Sequence, residues 1–415
     1  MSVPVLGASG LPTVLACGAW LKNTACLLQG GRVLWSVPHG DLSDPLACDQ
    51  LARSVEALLA LADSPVQAVA HDLHPDFFST QLAVAWAQRL GVPAMGVQHH
   101  HAHIATVVAD QGLRGPVVGL ALDGVGLGTD GKAWGGELLW VHGADWQRLG
   151  HLSPLALPGG DKAATEPWRM AASALHALGR ASDIQPRLSP LVGLPLAQGV
   201  HHLLASHLNC PLTTSAGRWF DAAAGALWQP LRLGQRQAHE AQAAMALQAA
   251  ATRWLARHPQ SLDSLTPLGA TAPGSMAGAA QLGVGNTLDL RPLLAALFDA
   301  PADQADAAAA QFHLALADGL AQWAAAAAHT HGTRTVCLGG GCWANALLRE
   351  RVAARLHAQG LRVALPGEQS LGCGDAGLAL GQAWVAAHTV IGQPSPPPVT
   401  GHHCPPSLKE VTPCV

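Results

Sequence analysis

The chain has 415 residues, 49% of them hydrophobic and only 12% charged, which is ample apolar material for a large folded core. With 23 Lys and Arg against 27 Asp and Glu, a formal net charge of −4 and no local Lys/Arg cluster, the composition speaks against nucleic acid or an anionic membrane surface as a partner. There is no secretory-signal pattern at the N-terminus and no run apolar enough to span a bilayer; nine scattered cysteines, never spaced C-x-x-C, leave a cytoplasmic protein with free thiols as the expectation.

In chain order, residues 1–12 read as a mobile tail. "TVLACGAWLKNTACLLQGGRVLWSV" holds two β-type apolar runs, the second after a hairpin turn at "QGGR". A helix follows in "DPLACDQLARSVEALLALAD", with Asp44 and Pro45 as N-cap and first helical residue. "PVQAVAHDL" predicts a strand and "STQLAVAWAQRLG" a helix.

Next comes "VQHHHAHIAT", with four histidines in five positions. If the segment is helical from Gln98, His99 and His103 lie four apart on one face, a spacing that lets both imidazoles reach one metal ion. The chain has 22 histidines, however, so a histidine-rich patch without a metal remains open. The zinc-peptidase pattern is excluded, because His100 stands where that motif needs Glu, and a further oxygen-type ligand has to come from elsewhere.

"GPVVGLALDGVGLGTDGKAWGGELLWV" reads as strand, glycine-rich turn and strand, with Asp123 ending the first strand. Gly124, Gly126 and Gly128 free the backbone to fold around phosphate oxygens, and a strand-end carboxylate can hold a metal; a plain glycine-rich hairpin is the alternative. An Ala-rich helical region runs to "DAAAAQFHLALADGLAQWAAAAAHTHG". The buried strand "TRTVCLGGG" then leads through Gly339, Gly340 and Gly341 into the helix "ANALLRERVAARLHAQG", an anion-friendly helix N-terminus that is neither a Rossmann fingerprint nor a P-loop. In "SLGCGDAGLALGQAWVAAH", Asp375 sits where a helix begins and is open to reading as an N-cap. Residues 391–415 form a Pro-rich tail expected to be disordered.

Two openings of the same kind predict a two-lobed α/β protein with an interlobe cleft. The first lobe is expected over 13–115, the second over 116–375, and a helix over 376–390 returning to the first.

The stretches "GAWLKNT", "AHDLHPDFFST", "VQHHHAHIA", "LALDGVGLGTDGKAWGGE", "LPGGDKAATEPWRMA", "SAGRWFDAAAGAL", "CLGGGCWANALL" and "GDAGLALGQA" occur in this order. Together, over about residues 13–388, they resemble the C-terminal carbamoyltransferase region of the HypF family of [NiFe]-hydrogenase maturation. That region is similar to the catalytic subunit of the tRNA threonylcarbamoyl-adenosine synthase and to antibiotic O-carbamoyltransferases. The resemblance implies the two-lobed fold of actin, Hsp70 and sugar kinases, with duplicated mixed sheets flanked by helices. It implies that His99, His103 and Asp375 ligate one Fe or Zn ion, with Asp123 at the metal and phosphates. Gly339, Gly340, Gly341 and Asn345, with Gly124, Gly126, Gly128, Gly217 and Asp221, would bind nucleotide; Lys22, Asn23, Asp161, Arg169, Arg218 and Glu240 would line the cleft. For Arg169 and Arg218 an ordinary ion pair stays open, and for Asp161 and Asp221 a cap or solvated carboxylate.

The implied chemistry is ATP-dependent: carbamoyl adenylate, formed from carbamoyl phosphate and ATP with Mg, gives its carbamoyl group to the C-terminal cysteine of a HypE partner, on the way to cyanide. The modules that precede this region in full-length family members have no counterpart in this sequence, so a separate adenylate-forming protein is an expected partner. The family's Tyr-Glu-Gly run is replaced by His239, Glu240 and Ala241, and Cys414 reads as a disordered thiol. A small-molecule O- or N-carbamoyltransferase and a non-catalytic nucleotide-binding scaffold are the alternatives; retention of all four candidate metal residues argues against the scaffold.

Overall fold

The computed structural model describes residues 2–5, 10–259, 280–283, 286–367 and 371–392. Of the disordered tail expected over 391–415, Ile391 and Gly392 instead end the helix Leu378–Gly392, and the rest, with Cys404 and Cys414, lies outside the described residues. Six strands form a first sheet: β1 (Ser2–Pro4), β2 (Val14–Ala16), β3 (Cys26–Gln29), β4 (Arg32–Trp35), β5 (Ala68–Asp72) and β6 (Ala94–Val97), in the order β1-β4-β3-β2-β5-β6. The expectation of a mobile tail over 1–12 fails at its start, because Ser2–Pro4 pairs antiparallel with β4. Pro4 is tolerated there because β1 is an edge strand, where one missing ladder donor costs little.

The second sheet is built from β7 (Val117–Leu127), β8 (Ala133–His142), β9 (Asp145–Leu152), β12 (Gln281–Leu282), β13 (Thr287–Asp289), β14 (Thr335–Gly339) and β15 (Arg362–Ala364). The short strands β10 (Leu155–Ala156) and β11 (Leu212–Thr213) attach beside β8, and the main order is β12-β13-β9-β8-β7-β14-β15. The two sheets repeat one pattern. In the first, β4, β3 and β2 run antiparallel to one another and β2, β5 and β6 run parallel. In the second, β9, β8 and β7 are antiparallel, and β7, β14 and β15 are parallel. The first sheet packs its buried Leu15, Leu27 and Val69 against the helices Pro45–Ala60 and Phe78–Leu90. The second is covered by a larger cluster that includes the helices Ala216–Ala226 and Ala305–Thr330.

Between the sheets lie two helices, His99–Asp110 and Leu378–Gly392. Every residue of the first from His99 to Ala109 is buried, so no face is left for water. The helix Leu378–Gly392 packs on it and also on β2, β3 and β5 of the first sheet. Their approach is backbone-close: a Cβ on Gly381 would stand 1.9 Å from the Ala102 carbonyl oxygen. Among the described residues no helix is long and apolar enough to cross a membrane.

Candidate metal centre

Local sequence sets each donor. Gln98, extended, accepts the His101 N–H at 2.8 Å and starts the helix, so His99 and His103 share a face one turn apart. Asp123 does not end its strand as the sequence suggests. It sits inside β7 where the β7–β8 register shifts between Leu122 and Gly126, and such a bulge turns a side chain out of the regular alternation. Asp375 is the first residue of a 3-10 turn, Asp375–Gly377, with Gly374 in the cap position, so the Asp375 carboxylate is left for other work. That turn is tied down twice: the Thr24 hydroxyl donates to the Ala376 carbonyl, and the Thr106 hydroxyl to the Gly377 carbonyl at 3.1 Å.

These elements bring four donors together, with ligand atoms all within 4.8 Å of one another. His99 Nε2 lies 3.2 Å from Asp123 Oδ2 and 3.7 Å from Asp375 Oδ1, and His103 Nε2 lies 3.4 Å from each of those oxygens. Four ligands at metal distances of about 2.0–2.2 Å around a tetrahedral ion stand roughly 3.3–3.6 Å apart, so the spacing fits one cation. His103 Nε2 is buried and has no hydrogen-bond partner, as a ligand nitrogen should. Two imidazoles and two carboxylates suit Zn or Fe and do not select between them.

One supporting residue escaped the sequence reading. Asp72, 1% exposed at the end of β5, meets His99 Nδ1 at 2.7 Å through its Oδ2. This fixes the ring so that Nε2 faces the other donors, the arrangement common behind metal-bound histidines. The signal was the Asp inside "AHDLHP", at the carboxyl end of a parallel strand, where sites gather in α/β folds.

The electrostatics agree. Burial disfavours a charged His99, but Asp72, Asp123 and Asp375 outweigh it and hold its pKa well above the usual value. His103 is raised in the same way against burial by Asp123 and Asp375. Burial pushes both aspartates up, yet the two imidazoles draw Asp123 well below its usual range and lower Asp375 as well. Such a cage asks for positive charge, which protons or a metal ion can supply. His100 and His101 are different. Burial, first, holds His100 well below its usual value and His101 down to about 3, and His101 stacks on Trp146 at 5.6 Å. Both pack against tryptophan rings, and neither is among the four donors.

Asp123 also borders a cavity of about 360 Å³ lined by Lys22, Gly124, Gly217, Arg218, Asp221, Glu240, Gly341, Cys342 and Asn345, among others. Gly341 N–H donates to Asp123 Oδ1 at 3.0 Å, and Asn345 caps the helix Ala346–Ala358 at its Leu348 N–H, so the glycine-rich turn and a helix N-terminus join the four-donor cage to this cavity. Arg218 pairs with buried Asp221 at 2.8 Å, and burial nevertheless pushes the Asp221 carboxyl up to about 6.

Other candidates lie elsewhere. Asn23 is fully buried, donating to the Cys17 and Ala19 carbonyls at 2.9 and 2.7 Å and bonding His39, so it braces the turn beside Lys22 and does not line the cavity. Asp161 is exposed ahead of a four-residue helix and does not cap it. Arg169 pairs with Glu166 and lies over Trp168, the ordinary ion pair that the sequence left open. Gly126 packs against the His99 and His100 rings and Gly339 under the His103 carbonyl, shaping the cage's walls, while Gly128 packs against the Trp134 indole; none of the three borders the cavity. Gly340 has φ +103°, and a Cβ there would stand 2.3 Å from the Leu122 carbonyl oxygen, so it lets β14 and β7 converge beneath the cage.

Residues 10–110 match the family model described as the HypF Kae1-like domain, and 119–382 match the second subdomain of the carbamoyltransferase Kae1-like domain. A carbamoyltransferase HypF homolog of Cupriavidus necator is 57% identical over 90% of this chain and 91% of its own length. Carbamoyltransferase HypF2 of the same organism is 47% identical over 92% of this chain, which spans only 47% of that protein. A crystal structure of full-length HypF in the phosphate- and nucleotide-bound form superposes with a TM-score of 0.77 at 26% identity, covering 93% of this chain and 47% of that one. With both lobes matched by family models and a relative of similar length more than half identical, the chain belongs to the HypF carbamoyltransferase family.

Proposed function

We propose that this protein transfers a carbamoyl group from carbamoyl adenylate to the C-terminal cysteine of a HypE-type partner, the step that leads to cyanide ligands in [NiFe]-hydrogenase maturation. One observation carries the reading: Asp123 is shared between the four-donor cage and the cavity lined by Gly124, Gly217, Gly341 and Asn345. A metal ion held by His99, His103, Asp123 and Asp375 would supply positive charge beside an adenylate phosphate in that cavity.

The partner's thiol loses its proton to solvent. The thiolate sulfur then bonds to the carbamoyl carbon, the carbon–oxygen bond to the phosphate breaks, and AMP leaves with the electron pair. Gly124, Gly217 and Gly341 line the cavity, and Gly124, where a Cβ would meet nothing, leaves its backbone open to close approach by the nucleotide; stabilising the leaving phosphate is where such a site gains rate. No nucleophile of the enzyme's own is needed. Burial drives the Cys342 thiol well above its usual range and raises Cys373 too, so neither is poised as a thiolate, which favours direct transfer to an external acceptor.

The test is intact-mass measurement of a HypE-type partner incubated with this protein, an adenylate-forming domain, carbamoyl phosphate and ATP. A carbamoyl group on the partner's terminal cysteine is expected. An unmodified partner with AMP released would move the reading to a small-molecule acceptor, and neither product would remove it.

A further inference from the structure

The cleft has two cationic side chains along its described lining, Lys22 and Arg218. Arg218 is committed to Asp221, a partner that is 1% exposed. Lys22 is held differently. Its Nζ lies 2.7 Å from Glu240 Oε2 across the mouth of the cleft, with both side chains more than half exposed at 59% and 57%. Lys22 belongs to the turn between β2 and β3 of the first lobe, and Glu240 to the segment leading into the helix Gln242–Arg257 of the second. An exposed pair of this kind is weakly held and easily exchanged.

The backbone on both sides is special. Lys22 has φ +48° and Ala241, next to Glu240, has φ +59°, left-handed values that residues with a Cβ adopt at a cost and that gather at ligand clamps. The Lys22 turn is rigid: the Gln382 side chain grips both polar atoms of the Gly18 peptide unit region, accepting from Gly18 N–H at 2.9 Å and donating to its carbonyl at 3.2 Å, while Thr24 is bonded to the Asp375 turn. The ammonium is therefore carried on the same rigid piece as a metal ligand, and it lies in the field of Asp123 and Asp375 as well as Glu240.

We propose that Lys22 receives the phosphate of the incoming nucleotide and that Glu240 competes for it, so that binding hands the ammonium from the Glu240 carboxylate to the ligand. This rests on the nucleotide reading of the cleft given above. Glu240 then works as a positioning residue that keeps Lys22 extended over the cleft and sets how tightly anionic ligands are held.

The probe is AMP, titrated calorimetrically into metal-loaded wild type, Glu240→Gln, Lys22→Met and the double variant, with thermal melting to show that all are folded. Lys22→Met should weaken AMP binding about tenfold or more, as loss of a charge-assisted hydrogen bond does. Glu240→Gln should tighten it about two- to fivefold, the worth of an exposed ion pair. That gain should vanish in the Lys22→Met background. A weaker or unchanged Glu240→Gln, or a gain that persists without Lys22, would overturn the handover while leaving the nucleotide reading intact. Failure of the wild type to bind AMP would overturn both.

Discussion

At the scale of single residues, the sequence shows which groups are chemically able and the structure shows which are placed. His99 and His103 were legible as a pair because helical spacing puts them on one face, and as ligands only through the resemblance that joined them to Asp375. Asp72 was not, since an aspartate at a strand end looks the same whether it closes a turn or orients an imidazole, and the contact that decides crosses from β5 to another element. Asn23, Asp161 and Arg169 lie in recognisable stretches but away from the cavity lining: their side chains meet a backbone brace, solvent and Glu166. The placement of Asp72 gives a quantitative expectation. Asp72→Asn keeps the size of the side chain but removes the carboxylate acceptor of His99 Nδ1–H, and metal affinity should fall about 10- to 100-fold in competition against a chelator. Unchanged affinity would mean that packing alone sets the orientation of His99.

Among elements, the strand and helix runs of the parallel units were readable from apolar periodicity, and the pairing of Asp44 with Pro45 marked a helix start that the structure bears out with a 2.9 Å cap to Leu46 N–H. What periodicity could not show was the β-bulge at Asp123 or the Ser2–Pro4 edge strand, because both depend on a partner strand. Nor could it show how tightly the helices His99–Asp110 and Leu378–Gly392 cross. Their contact at Gly381 and Ala102 has no room for a methyl group, and the Thr106 hydroxyl, its one hydrogen shared between the Ala102 and Gly377 carbonyls, accepts Gly381 N–H at 3.1 Å. Gly381→Ala must push the helices apart in a fully buried layer. It should destabilise the protein by about 3 kcal/mol or more in denaturant unfolding and lower metal affinity with it, because Asp375 and the histidines ride on opposite sides of that contact. A loss below about 1 kcal/mol would show that the layer yields more easily than its packing indicates.

For the whole molecule, two sheets of like topology face a shared layer of two buried helices, and the four-donor cage forms where β7, the helix His99–Asp110 and the Asp375 turn meet. The duplicated openings foretold two lobes, but the way the chain returns is a matter of three-dimensional packing: the last described helix settles on the first sheet and brings Asp375 to histidines from far earlier in the chain. The central claim is that these parts hold one metal ion at the edge of a nucleotide cleft. Metal content of the protein, saturated with Zn or Fe and then desalted, tests it most directly when wild type is set beside His103→Ala. The account predicts one ion per chain in the wild type and its loss in the variant, with the variant still folded by circular dichroism; a His103→Ala protein that keeps its full equivalent of metal would contradict it.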